Sequence, residues 1–155
     1  MDDAAFLDAF ESATLTPEQW NHYAHLRMAY LYIQAGSFDE AIAQMRIGIQ
    51  RLNQAHGRVE TEFSGFHETL TVAWARVLAA AAAAEGGQAT FAVFIAPRPE
   101  LLDKSYLRRY YSPEQLFTPL ARQTFVAPDI RALPAHGGTI DDIASRSLIR
   151  SPQMN

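Results

Sequence analysis

The chain has 155 residues, a hydrophobic fraction of 48%, a charged fraction of 19%, a formal net charge of −4 and no cysteine. These values are typical of one folded globular domain and exclude a disordered chain, a disulfide framework and a thiolate metal site. The acidic balance gives no basic surface for nucleic acid, so we expect no nucleic-acid partner.

The N-terminal residues and the most apolar run of the chain decide the expected location. Residues 1–12 are acidic and lack the basic and then apolar arrangement of a secretory signal. The apolar run over residues 72–84 contains Arg76 and is too short to span a bilayer. We therefore expect a cytoplasmic protein without a membrane partner.

Helix-start signals and apolar periodicity predict that the first half of the chain is helical. Residues 3–11 are predicted to form a short amphipathic helix. A first capping box predicts a helix over residues 16–35 that ends at a left-handed Gly36, and a second predicts a helix over residues 37–55. The short turn between these two helices allows only an antiparallel pair. A third long helix is predicted to begin at residue 64 or 65 and to end at residue 85.

The second half of the chain has shorter predicted elements. Residues 90–96 fit either a short helix or an extended segment, because periodicity does not separate the two. Residues 99–111 are predicted to form one or two helical turns, and a serine-proline start predicts a helix over residues 113–124. The predicted fold is therefore all-α, with an antiparallel helical bundle over residues 1–128 followed by an irregular tail over residues 129–155. Within this tail, a weak amphipathic helix over residues 139–148 is compatible with the sequence.

Two histidines three residues apart give the main indication of a functional site. His22 and His25 lie on the apolar side of their predicted helix, where residues three apart are surface neighbours. His67, near the start of the third long helix, is predicted to face them. Three imidazoles with one open position form the arrangement of catalytic zinc sites, and with a carboxylate that of non-haem iron sites. We therefore predict a divalent metal ion (iron, manganese or zinc) with these three histidines as ligands.

Further candidate residues lie close to this predicted centre. His56 continues the buried stripe of the second hairpin helix and is a fourth candidate ligand. Glu68 would point about 100° away from His67 in a regular helix, so its predicted role is a hydrogen-bond partner of a ligand, a general base on bound water, or a carboxylate favoured by the helix N-terminus. Tyr32 and Tyr110 are expected to line the pocket.

A metal-free interpretation of the histidines carries similar weight. Buried imidazoles need hydrogen-bond partners, which tyrosines or main-chain carbonyls can supply. Four of the five histidines fall on or beside predicted buried stripes, and one metal ion would satisfy several of them at once. Both interpretations stay open at the level of the sequence.

A pair of arginines beside a pair of tyrosines suggests an anion site. Arg108 and Arg109 precede Tyr110 and Tyr111, and guanidinium and phenol groups suit carboxylates and phosphates. A solvated basic face with its aromatic rings turned to the core is the simpler interpretation. The chain has no glycine-rich phosphate loop and no nucleophile motif, so the sequence does not decide whether the protein is an enzyme.

Residues 29–50 resemble one tetratricopeptide-type (TPR-like) hairpin. The matching small and aromatic positions are Ala29, Tyr32, Gly36, Phe38, Ala41 and Ile42. Solenoids need about three stacked units, and neither flank contains a second copy. The resemblance therefore implies the hairpin fold. It does not imply peptide binding. The alternative function is a helical protein–protein interaction module without catalysis, which would use this hairpin or the tail helix around residues 140–148.

Residues 16–128 also resemble a group of small bacterial helical proteins. The shared segments are H-x-x-H at residues 22–25, an aromatic residue with H-E-T at residues 66–69, leucine and aspartate within 101–103, and YYSP at residues 110–113. The resemblance implies a coherent domain and the same histidines and glutamate as candidate site residues. The leading function predicted from sequence is metal binding, with an unidentified small molecule or protein as the partner.

Overall fold

The structure is a computed structural model that describes residues 1–86 and 88–135, and within those residues it is all-helical with no strand. Two of its elements are 3₁₀-helices, Pro99–Leu102 and Lys104–Arg109. The α-helices are α1 (Asp3–Glu11), α2 (His22–Ala35), α3 (Phe38–Ala55), α4 (Glu68–Glu85), α5 (Phe91–Ile95), α6 (Pro113–Leu116) and α7 (Pro119–Gln123). The prediction of an all-α bundle is thereby confirmed.

The three long helices form the centre of the bundle. α2 packs against both α3 and α4, and α3 also packs against α4. α1 covers α2 and α3, whereas α5 packs on α2 and α7 on α4. In the described part of the chain, no helix combines the length and the apolar character needed to cross a bilayer.

The start of α2 differs from the prediction. Both halves of the predicted capping box form, since the Gln19 amide donates to Thr16 Oγ1 and the Thr16 amide donates to Gln19 Oε1. The box closes only a turn, after which Trp20 is buried and Asn21 caps the helix by accepting a hydrogen bond from the Ala24 amide. The capping motif therefore marks the approach to α2, and the helix itself begins at His22.

The connection between α2 and α3 also corrects a prediction. Gly36 has φ −168° and ψ −159°, so it is extended and not left-handed. Ser37 caps α3 directly afterwards by accepting from the Glu40 amide, and an extended residue carries the chain into that cap. This two-residue connection gives the predicted antiparallel pair. Its specific likeness to a tetratricopeptide repeat stays a prediction.

Two other predicted helices have different boundaries. α4 begins at Glu68 because His67 adopts an extended conformation and caps the helix, its Nδ1 accepting a hydrogen bond from the Leu70 amide. The helix predicted over residues 113–124 is divided into α6 and α7, since Pro119 holds the preceding Thr118 in an extended conformation.

The chain beyond α7 stays in contact with the helices as far as it is described. Asp129 accepts hydrogen bonds from the Ser112 amide and hydroxyl, and Leu133 is buried. The weak helix predicted over residues 139–148 lies outside the described residues, and the division into a domain and a tail stays a prediction.

Candidate functional site: a cavity between the long helices and the 3₁₀ segment

A cavity of about 670 Å³ lies between α2, α3, α4 and the segment of residues 103–117. This volume falls within the range of small-molecule sites, which is about 300–1,000 Å³. Most of its wall is apolar or aromatic, including Trp20, Met45, Ile49, Leu70, Trp74 and Tyr111. Polar and charged side chains are also present in the wall, so the cavity combines the two kinds of surface that ligand sites use.

The only two tryptophans of the chain both line this cavity. Trp20 is positioned by the turn before α2 and stacks on the His25 ring, with 3.8 Å between ring centroids. Trp74 lies on α4 and stacks on Tyr106, and its ring also contacts the edge of His22 at 5.0 Å. Two indoles held by ring contacts give the cavity rigid aromatic surfaces.

His22 and His25 line the cavity together, as their spacing on one helix predicted. His22 Nε2 donates to the Leu101 carbonyl at 3.0 Å, which ties α2 to the first 3₁₀-helix. His25 Nδ1 donates to the Asn21 carbonyl at 2.8 Å. Desolvation by burial lowers the pKa of His22 and lowers the pKa of His25 to about 4, so both rings are neutral at pH 7.

His67, the predicted third ligand, does not line this cavity. Its Nε2 donates to the Leu116 carbonyl at 2.9 Å, while its Nδ1 accepts from the Leu70 amide at 3.1 Å. Both ring nitrogens are therefore used by main-chain groups, and burial lowers the pKa of the ring. His67 joins the start of α4 to the end of α6 instead of facing His22.

Glu68 and His56 also lie apart from the histidine pair. Both carboxylate oxygens of Glu68 accept from the Arg46 guanidinium, at 2.9 and 2.6 Å. His56 Nε2 donates to the Leu15 carbonyl at 2.8 Å. The proposed base and the fourth ligand candidate thus have structural partners outside the cavity.

The residues present do not fit the predicted three-histidine centre. Within residues 1–86 and 88–135, no three or more His, Cys, Asp or Glu side chains come close enough together to hold a metal ion. The physical reason is that four histidine rings bond to carbonyls in four different places, those of Leu101, Asn21, Leu15 and Leu116, so the rings do not converge. Metal binding through another set of ligands stays a prediction.

The arginine and tyrosine pairs divide between the cavity and the surface. Arg109 lies over the Tyr106 ring at 4.4 Å, and Tyr110 is a buried residue that does not line the cavity. Arg108 and Tyr111 do line it. Because side chains three apart lie above one another in a 3₁₀-helix, Ser105, Arg108 and the following Tyr111 share one side.

Tyr32 also lies outside the cavity. Its hydroxyl donates to Glu11 Oε2 at 2.7 Å, which links α2 to the end of α1. Desolvation by burial, together with this hydrogen bond, raises the pKa of the Tyr32 phenol. Tyr32 therefore stabilises the packing of α2 against α1. It does not line the cavity, contrary to the prediction.

Three basic side chains at the cavity were not singled out from the sequence as a group. Arg58, Lys104 and Arg108 are exposed residues that line the cavity, and we call them the basic rim. Within the described residues, none of their charged groups makes a hydrogen bond or an ion pair. Asp103 is the one carboxylate in the described lining. Its Oδ1 accepts from the amide and hydroxyl of Ser105, and these hydrogen bonds lower the Asp103 pKa.

Comparisons with protein-family models, with curated proteins and with solved structures find no significant match to this chain. The geometry of the described residues is therefore the basis for any functional proposal.

Proposed function

We propose that this protein binds a small organic molecule in the cavity between α2, α3, α4 and residues 103–117. The observation that carries the proposal is a cavity of about 670 Å³ whose wall includes both tryptophans and the histidine pair. Sites of this size hold drug-sized ligands by burying an apolar body and orienting it with a few polar groups.

The lining indicates how such a ligand is held. The indole rings of Trp20 and Trp74 offer flat apolar surfaces for an aromatic or aliphatic body. In the neutral tautomers fixed by their main-chain hydrogen bonds, His22 keeps Nδ1 as an acceptor and His25 keeps Nε2. A hydroxyl or amine of the ligand is the group that these nitrogens accept from.

Fluorescence titration with N-phenyl-1-naphthylamine, a neutral aromatic probe, tests this proposal. Because both tryptophans line the cavity, bound probe should quench indole emission and gain emission by energy transfer. We expect saturable binding of one probe per chain. The proposal would be overturned if neither this probe nor its sulfonated or carboxylated analogues changed the indole emission at any concentration.

A variant that fills the cavity separates binding inside it from binding on the surface. Thr71 lies on α4 in the cavity wall, so Thr71→Phe should weaken probe binding by about tenfold, or about 1.4 kcal/mol. Ala84→Phe adds the same ring to an exposed position of the same helix and should leave affinity unchanged. Equal affinities in the two variants, with circular dichroism confirming that both fold, would contradict the proposal.

The same titration also tests whether probe binding depends on a bound metal ion. A metal held by His22 and His25 needs further ligands, because two protein ligands fall short of the three that catalytic zinc sites use. Chelator-treated protein should bind the probe as well as untreated protein does. Probe binding that is lost on chelation and restored by zinc, iron or manganese would favour a metalloprotein instead.

A further inference from the structure

The basic rim brings together cations from two separate parts of the chain. Arg58 follows the end of α3, whereas Lys104 and Arg108 belong to the second 3₁₀-helix. All three line one cavity whose described lining contains a single carboxylate, that of Asp103. The cavity lining therefore carries an excess of positive charge in a protein whose formal net charge is −4.

The cations of the basic rim also lower the pKa values of the histidine pair. Burial is the main cause of the lowered pKa values of His22 and His25, and Lys104 lowers both further, while Arg58 also lowers that of His25. Asp103 offsets this charge only in part, because the described lining has one carboxylate and three cationic side chains. A negatively charged group bound at the basic rim would reduce the repulsion among Arg58, Lys104 and Arg108.

We propose that the ligand of this cavity is an organic anion, with an apolar body against the two indole rings and a carboxylate or sulfonate group at the basic rim. This inference rests on the proposed function and names the class of molecule bound. Arg58 and Arg108 have planar guanidinium groups that match a carboxylate with two parallel hydrogen bonds. The positive charge of the basic rim also attracts an anion to the cavity from solution.

A matched pair of probes tests the charge of the ligand. 8-Anilinonaphthalene-1-sulfonate has the same aromatic skeleton as N-phenyl-1-naphthylamine and adds one sulfonate group. We expect the sulfonate probe to bind at least about tenfold more tightly at low salt and to lose most of this advantage at high salt. Equal affinity of the two probes would overturn the inference while leaving the proposed function intact.

Neighbouring arginines of one 3₁₀-helix supply the variant and its control. Arg108→Gln should weaken the sulfonate probe by about fivefold to tenfold and leave the neutral probe unchanged, as expected for loss of one charged hydrogen bond. Arg109→Gln removes the same charge from a residue that lies over Tyr106 and does not line the cavity, so both affinities should stay constant. Equal effects of the two changes would overturn the inference.

A carboxylate and its amide test the other proposed anionic group, the carboxylate. Naphthalene-1-carboxylate should displace the neutral probe at lower concentration than naphthalene-1-carboxamide does, and Arg58→Gln combined with Lys104→Gln should reduce the difference. A preference for the amide would overturn the inference. If neither naphthalene compound nor either fluorescent probe binds, the proposed function fails, and the inference fails with it.

Discussion

The rings of His22, His56 and His67 each donate from Nε2 to a main-chain carbonyl distant in sequence. The apolar stripes of the sequence correctly predicted that these histidines lie at or near buried surface. The partner of each ring could not be predicted, because it depends on how a carbonyl more than 40 positions away is oriented by the finished fold. In this chain the histidine pattern predicted burial of the rings, and it did not predict which groups the rings contact.

The lowered pKa values of three histidines predict that the protein is less stable in acid. Burial lowers the pKa of His22, His25 and His67 below 6.5 in the folded state, so the unfolded chain binds more protons once the pH falls below that value. The free energy of unfolding should fall by at least about 2 kcal/mol between pH 7.5 and pH 5, and level off near the folded-state pKa values.

Urea unfolding at several pH values measures this effect. His67→Asn is the matched variant, because asparagine is a good helix cap that does not titrate in this range, so its stability should depend less steeply on pH. The lowered pKa values of Asp103 and Asp129 act mainly below their ordinary value of 3.8 and do not account for a change above pH 5. A free energy of unfolding that is equal at pH 5 and pH 7.5 would contradict the prediction.

The C-terminal ends of the first four helices were predicted correctly from the sequence. The predicted bounds of α1 match its observed bounds, and α2, α3 and α4 end at the predicted residues. The errors lie at helix starts and at a break. Trp20 is buried before α2, His67 serves as a cap, and Pro119 divides the last predicted helix. Tertiary contacts or the proline ring override the local pattern at these positions.

The contact between α1 and α3 depends on a glycine inside a helix. Gly48 lies within α3, and a Cβ there would overlap the ring of Phe10, which is fully buried. Alanine favours a helix interior by about 1 kcal/mol over glycine, whereas overpacking a core costs typically about 1–3 kcal/mol. We predict that Gly48→Ala lowers the free energy of unfolding, by up to about 2 kcal/mol.

A double-mutant cycle identifies the cause of that effect. In a Phe10→Leu background the overlap is reduced, so Gly48→Ala should be neutral or stabilising when measured by thermal or urea unfolding. A stabilising effect of Gly48→Ala in the natural sequence would mean that α1 adjusts freely and that the close approach is not required.

The cavity exists only at the scale of the whole molecule. Its lining comes from the turn before α2, from α2, α3 and α4, and from residues 103–117, which no local pattern brings together. The sequence did identify His22 and His25, because their spacing is a property of one helix. The sequence did not predict that Arg58 and Lys104 line the same cavity, since only the packing of the 3₁₀ segment against the long helices brings them to it.

A crystal structure of the protein with N-phenyl-1-naphthylamine is the sharpest test of ligand binding in the cavity, because it locates the bound molecule. We predict that the naphthalene ring lies inside the cavity, in van der Waals contact with Trp20 or Trp74, with the main-chain hydrogen bonds of His22 and His25 retained. Electron density for the probe only on the outer surface, without contact to either indole ring, would contradict binding in the cavity.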